Sequence, residues 1–319
     1  MFGRIRAVIK ATTLELVSEP LFFLLTISAV GVLTIASYLH VHQFGEPSRM
    51  ARDVGLSSVL IFGIVFAVFS AIRVFRREIE SGTLQMALSR PISRELFFLS
   101  KTAGAFLACI VFFVIVFSST ITTVVGAEVG KIHTEMAMSA ASHGHCHHDI
   151  MPETLWFVSL GVDACTIVLP LVFGAVLNRF ARFRFTTTAF AAALVVSVSG
   201  CFYNIHLACA EFGDAVSFIP AYVKRILPVG VLLLAPVAVF LSAAAALSVK
   251  FKDNAVASFS GLIFLLFLPA LGNYYQTQAL HRGGELPWSY VVWSFAAALP
   301  FVVASLLMGV FFMRSKDVG

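Results

Sequence analysis

Residues 126–154 concentrate side chains that bind metal ions. Five of the nine histidines fall there, together with cysteine and methionine. Imidazole, thiolate and thioether groups form a ligand set for copper or zinc, and the sulfur groups favour Cu(I). The run H-G-H-C-H-H brings several donors within reach of one ion, and the candidate ligands are His143, His145, Cys146, His147 and His148. The paired spacing of a structural zinc site is missing. A polar loop with adventitious metal affinity is therefore the alternative.

One acidic residue, Asp163, lies well inside an apolar run at 155–177. An ionisable group at membrane depth costs at least ~2.5 kcal/mol, so it is a functional candidate by default. The alternative carries equal weight: a carboxyl group that faces a water-filled interior or is capped by its neighbours. An intramembrane enzyme would need a catalytic partner for this residue, and the sequence suggests none.

The sequence contains no motif for ATP hydrolysis. Its nearest approach to a phosphate-binding loop, GAEVGK at Gly126–Lys131, is one residue short of the required spacing. Ile132 follows where Ser or Thr is needed. Any energy for work must therefore come from a partner.

The elements that carry these residues are membrane helices. The 319 residues are 59% hydrophobic and 12% charged, against about 45–50% and about 25% in soluble domains. A span needs about 20 mainly apolar residues, which predicts an all-α integral membrane protein with about eight spans: 20–40, 55–75, 97–125, 155–177, 186–206, 226–249, 255–272 and 289–313. The segment 255–272 is short enough to be re-entrant instead. The spans form a single transmembrane domain over residues 1–319.

The distribution of basic residues predicts the orientation. With the N-terminus inside, the inner segments hold 16 Lys and Arg residues and the outer loops, including 126–154, hold 6. This bias places both termini in the cytoplasm. Residues 1–19 place Ile5, Thr12 and Leu16 at helical spacing, while Arg6 and Lys10 lie elsewhere. This pattern predicts an amphipathic helix in the membrane interface, with an ordinary cytoplasmic extension as the alternative.

The longest charged interruption, residues 76–101, lies on the predicted inner side. Ser81-Gly82-Thr83 forms a break and a cap for a short helix with an apolar face, and Pro91 ends that helix. Ser93 can cap the next helix, with Glu95 near its positive end. The segment is thus predicted to form a compact amphipathic knob that a cytoplasmic partner could grip.

This segment resembles the signature of ABC-2-type transporter permeases. The matching residues read REIESGTL from Arg77 and LSRPISR from Leu88, followed by Lys101. The resemblance implies that the knob is a coupling helix that docks on a separate ATP-binding subunit. It implies a coupling role for Glu78, Glu80, Gly82, Thr83, Leu84, Leu88, Arg90, Pro91 and Arg94.

The resemblance also implies the partners and the location. We expect ATP and Mg²⁺ in the ATP-binding subunit and no cofactor in this chain beyond copper or zinc at the outer loop. Two permeases, identical or related, would pair in a bacterial cell membrane (the inner membrane in a Gram-negative cell), with lipid and no nucleic acid as a partner. Family members have six spans, so the hairpin at 155–206 is predicted to be an addition. The expected function is ATP-driven transport, most simply export. A metal-handling or sensing membrane protein that works through the His-rich loop is the alternative.

Overall fold

The apolar runs fold as long helices. A helix satisfies its backbone N–H and C=O groups within the segment, which a bilayer interior demands. The computed structural model describes residues 2–39, 47–80, 93–142, 153–182, 184–212, 218–251 and 287–315, with residues 255–256, 260–261 and 263 between the last two ranges. No strand occurs within these ranges.

The helices of the described ranges follow in chain order. They are α1 (Phe2–Val17), α2 (Pro20–Leu39), α3 (Pro47–Glu80), α4 (Arg94–Ser142), α5 (Glu153–Ala181), α6 (Phe185–Phe212), α7 (Phe218–Lys250) and α8 (Trp288–Ser315). Pro20 and Pro47 stand at the first helical positions of α2 and α3, where the missing N–H costs nothing.

Six of the described helices are long and apolar enough to cross a membrane: Met50–Arg76, Arg94–Ala127, Gly161–Phe180, Phe185–Cys209, Ile226–Lys250 and Trp288–Ser315. They coincide with six of the eight predicted spans. The first predicted span corresponds to α2, which passes the same test together with α1 across a 63° bend. The predicted span 255–272 lies largely outside the described residues.

The chain divides into two compact units. Unit 1 comprises Met1–Val17, Gly63–Val111 and Leu227–Gly319, and the largest side chains of its core include Phe66, Phe98 and Leu241. Unit 2 comprises Ser18–Phe62 and Phe112–Ile226, and its core includes Phe22, Phe112 and Phe190. Helices α3 and α4 contribute residues to both units.

Helix α1 has the amphipathic character that the sequence predicts. Thr12 and Leu16 are buried, whereas Arg6 and Lys10 are exposed. In unit 1 the buried face packs against α4, as described below. The location of α1 in the membrane interface stays a prediction.

Candidate functional site

The first candidate site is the start of α4, which lies in the C-terminal part of the predicted coupling segment 76–101. The Ser93 hydroxyl accepts a long hydrogen bond from the Leu96 N–H at 3.4 Å, and the Ser93 carbonyl accepts one from the Phe97 N–H at 3.0 Å. Glu95 lies in the first turn, where a negative charge favours the helix dipole. The predicted cap is thus confirmed, and it marks the start of α4.

The first turn of α4 is tied to α8 by an ion pair. The Nε of Arg314 donates a hydrogen bond to Glu95 Oε1 at 2.7 Å, and Nη2 of the same guanidinium donates to the same oxygen. The side chains are 65% exposed for Arg314 and 40% for Glu95. Water therefore screens the pair, which orients the two helix ends more than it stabilises them.

One turn further along α4, Phe98 packs in the core of unit 1. Its side chain is fully buried, and its ring lies 5.0 Å from the ring of Phe75 on α3, tilted by 30°. On its other side Phe98 contacts α8 at Gly309, where the ring leaves no room for a Cβ atom. One aromatic side chain thus joins α3, α4 and α8.

The third contact of this segment is with α1 at Gly104. A Cβ on Gly104 would lie 2.7 Å from the Thr12 Cβ and 2.9 Å from the carbonyl oxygen of Ile9, so only glycine allows this approach. The Thr13 hydroxyl lies 3.0 Å from the Gly104 carbonyl oxygen and 2.9 Å from that of Ile9. We call residues 93–104 the α4 base. It contacts α1, α3 and α8 within unit 1.

The described structure reaches only the edges of the predicted coupling residues. Glu78 and Glu80 belong to the last turns of α3, and Arg94 is the half-buried first residue of α4. Six more coupling residues lie outside the described residues: Gly82, Thr83, Leu84, Leu88, Arg90 and Pro91. Their roles stay predictions.

The predicted metal ligands also lie outside the described residues: His143, His145, Cys146, His147 and His148. Among the residues that are described, no group of three or more His, Cys, Asp or Glu side chains could hold a metal ion. The predicted 126–154 loop is also shorter than expected, because α4 continues as helix to Ser142. Copper or zinc binding therefore stays a prediction that depends on the composition of residues 126–154.

The second candidate site surrounds Asp163 in unit 2. The carboxyl group is fully buried, and its Oδ2 lies 2.9 Å from the hydroxyl of Thr123 on α4. The same hydroxyl lies 3.0 Å from the Ser119 carbonyl oxygen, one turn earlier. The residue before Thr123 makes a second contact between helices. The Thr122 carbonyl accepts a hydrogen bond from Nδ2 of Asn204 on α6 at 3.2 Å. One oxygen of the Asp163 carboxyl group thus has a hydrogen-bonding neighbour on another helix. Its role as a functional residue stays a prediction.

Sequence reasoning missed the partners in this cluster. Thr123 and Asn204 are each about 1% exposed, and Ser119 is buried as well. The signal was present as the hydroxyl-rich run SSTITT at 118–123 in an otherwise apolar span. Hydroxyl and amide groups in a membrane helix bond across helices or to their own backbone, so such a run facing Asp163 marks a contact between helices.

These features define the class of protein: an all-helical chain with several membrane spans and a capped helix start at Ser93. The family model for the ABC-2 family transporter protein matches residues 17–188, more than half of the chain. The chain therefore belongs to the ABC-2 transporter family and is a multi-pass permease subunit of an ABC transporter. No curated protein and no solved structure matches it.

The family match covers α2, α3, the coupling segment, α4 and α5, and it ends in the first turn of α6. It thus includes the first helix of the hairpin at 155–206. That this hairpin is an addition to the six spans expected of the family stays a prediction.

Proposed function

We propose that this permease is driven by a separate ATP-binding subunit that docks on residues 76–101. Glu78 and Glu80 would face cations of that subunit, and Arg90 and Arg94 its acidic groups. The segment from Gly82 to Pro91 would supply the helix to which the ATP-binding subunit binds. ATP and Mg²⁺ would be bound by the partner, and two permeases would assemble with two such subunits.

The observation that supports this proposal is the set of contacts made by the α4 base. A force applied to the coupling segment reaches α4 directly, because the segment includes both the cap residue Ser93 and the first turns of α4. Within the α4 base, Phe98 contacts α3 and α8, and Gly104 contacts α1. Tightly packed interfaces of this kind transmit displacement because they have little room to deform.

In the mechanism that follows, ATP-driven closure of the partner subunits displaces the coupling helix. The α4 base moves with it and carries α1, α3 and α8 of unit 1. A path between two permeases then opens toward the outer side. The cytoplasmic placement of both termini, the location in the bacterial cell membrane and the direction of transport, export, belong to this proposal.

The test is copurification of the ATP-binding subunit with the full-length permease from its native host. Glu80→Arg reverses a proposed docking charge and Gly82→Pro changes the backbone at the break, so each should release the partner. Asp53→Arg is the matched control, since Asp53 is an exposed carboxylate outside the coupling segment. A permease that never retains an ATP-binding subunit would overturn the proposal, and so would equal retention by all three variants.

A second candidate function is metal handling through the 126–154 loop. Its support is the ligand set of His143, His145, Cys146, His147 and His148. The full-length protein and a variant lacking residues 133–151 would be compared for bound copper and zinc and for transport. Loss of metal together with loss of activity favours this function. Unchanged metal content and activity would reject it.

A further inference from the structure

The turn between α5 and α6 carries three arginines at the ends of two membrane spans. Arg179, Arg182 and Arg184 are all exposed, and none forms an ion pair with another described residue. The sequence between Asp163 and Glu211 contains no acidic residue, so the hairpin itself contributes three positive charges and no negative charge at this end. The spans themselves end at Phe180 and begin again at Phe185. Spans that end at these residues would place the guanidinium groups at the level of the lipid headgroups.

The backbone at Arg182 has an unusual conformation. Arg182 has a φ of 55°, in the left-handed region that non-glycine residues seldom adopt, and this reverses the chain within a few residues. Phe180 is 83% exposed beside Arg179. The turn thus presents an apolar ring next to a cation.

A groove of about 430 Å³ runs between α5 and α6 in the membrane-spanning part of the hairpin. Its lining includes Cys165, Leu169, Val196 and Gly200, and it is mainly apolar. Gly200 brings the helices together, because a Cβ there would lie 2.5 Å from the Cγ1 of Val162. The groove is therefore shaped by close backbone packing.

An exposed stripe on α5 joins the groove to the basic turn. Cys165, Leu169, Val172, Val176 and Arg179 follow one another at alternating spacings of four and three residues and are all exposed. This spacing places them on one face of the helix. From Leu169 to Arg179 the stripe extends about 15 Å at 1.5 Å per residue. The face is thus apolar at membrane depth and cationic at its end.

We propose that this hairpin binds an anionic phospholipid. The headgroup phosphate lies on the guanidinium groups of the turn, which match phosphate in charge and in their paired N–H geometry. One acyl chain follows the stripe past Val176 and Val172 into the groove at Leu169. A free phosphate has no acyl chain to contact the apolar stripe, and a lipid without net charge is not attracted to the three arginines by its net charge. The combination selects a lipid that has both parts.

The first test uses native mass spectrometry of the full-length protein in detergent. Equal amounts of phosphatidylglycerol and phosphatidylcholine are added, and the retained lipids are compared. The wild type should prefer phosphatidylglycerol, and the triple variant Arg179→Gln, Arg182→Gln, Arg184→Gln should lose roughly tenfold or more of that preference. Arg52→Gln is the control, since Arg52 lies on α3 outside the turn and already pairs with Asp53, so it should leave the preference unchanged.

A triple Arg→Lys variant at the same positions guards against failure of the Gln variant to fold. It retains the charge but loses the paired guanidinium geometry, so it should keep part of the preference. Equal retention of the two lipids by the wild type would overturn the proposal. So would an unchanged preference in the Gln variant.

The second test locates the acyl chain. Trp156, Trp288 and Trp293 are replaced by Phe, and Leu169→Trp then reports quenching by lipids with brominated acyl chains in vesicles. Brominated phosphatidylglycerol should quench more than brominated phosphatidylcholine at Leu169, and equally in the control Leu307→Trp on the exposed face of α8. Inorganic phosphate is then added to the first test as a competitor. If it displaces phosphatidylglycerol, and the two brominated lipids quench equally at Leu169, the turn is a phosphate site and the lipid assignment is overturned.

Discussion

The α4 base in unit 1 and the Asp163 cluster in unit 2 use polar groups in opposite ways. In the α4 base the charged pair Glu95–Arg314 is exposed at the helix ends, while the buried contacts at Phe98 and Gly104 depend on shape. Around Asp163 the polar groups themselves are buried, and the helices meet through a hydrogen bond. In the α4 base, packing joins the helices and the charged pair lies at the surface. In the Asp163 cluster, a buried carboxyl group lies at the contact between the helices.

The difference shows what each environment allows. An exposed ion pair is screened by water and contributes about 0–1 kcal/mol. A close helix contact without a Cβ cannot absorb an added atom, because protein interiors are packed like crystals. A buried hydrogen bond between membrane helices contributes about 0.6 kcal/mol on average and up to about 1.7 kcal/mol. The α4 base should therefore be most sensitive to side-chain volume, and the Asp163 cluster to hydrogen-bonding capacity.

The largest effect is expected from Gly104→Ala. The new methyl group would meet the Ile9 carbonyl and Thr12, neither of which can easily withdraw, so we expect a loss of about 1–3 kcal/mol in the free energy of unfolding. Gly31→Ala on α2 is the matched control, because no atom lies within 4 Å of its added Cβ. It should be neutral or stabilising by about 0.5–1 kcal/mol. Unfolding in increasing SDS measures both, and equal effects would refute packing as the basis of the α4 base.

A smaller effect is expected at the hydrogen bond between Thr123 and Asp163. A double-mutant cycle with Thr123→Val and Asp163→Ala, each of which removes the hydrogen bond, should give a coupling energy of about 0.6 kcal/mol and at most about 1.7 kcal/mol. Asp163→Asn keeps hydrogen-bonding capacity and should disturb folding less than Asp163→Ala. If Asn and Ala variants unfold alike while transport is lost in both, the carboxyl group has a role in function and not in holding the helices together.

The smallest effect on stability is expected at Glu95 and Arg314. Glu95→Gln and Arg314→Gln should each cost no more than about 1 kcal/mol, and less at high salt, because the pair is exposed. Their effect on transport per ATP hydrolysed should be larger than this, since the pair joins the α4 base to α8. The charge swap Glu95→Arg with Arg314→Glu is the control and should restore coupling. Failure of the swap, with both single variants coupled normally, would remove the ion pair from the proposed mechanism.

Much of this fold was predictable because it depends on local patterns. The helical character of the apolar runs, the cap at Ser93, the amphipathic face of α1 and the burial of Asp163 all follow from short-range spacing and hydropathy. The contacts of Gly104, Phe98 and Arg314 were not predictable, since each joins helices far apart in the chain. Nothing near Glu95 in the sequence points to Arg314, 219 residues away.

The sequence by itself determined that this chain is a helical membrane protein of the ABC-2 type, since hydropathy and the RREIESGTL motif are written in consecutive residues. Only the tertiary structure decided which side chains work together. It seated the start of α4 against α1, α3 and α8, and it gave Asp163 a hydroxyl partner on α4. The physical reason is that close packing and buried hydrogen bonds are properties of pairs of helices, and no single helix carries the information about its neighbour.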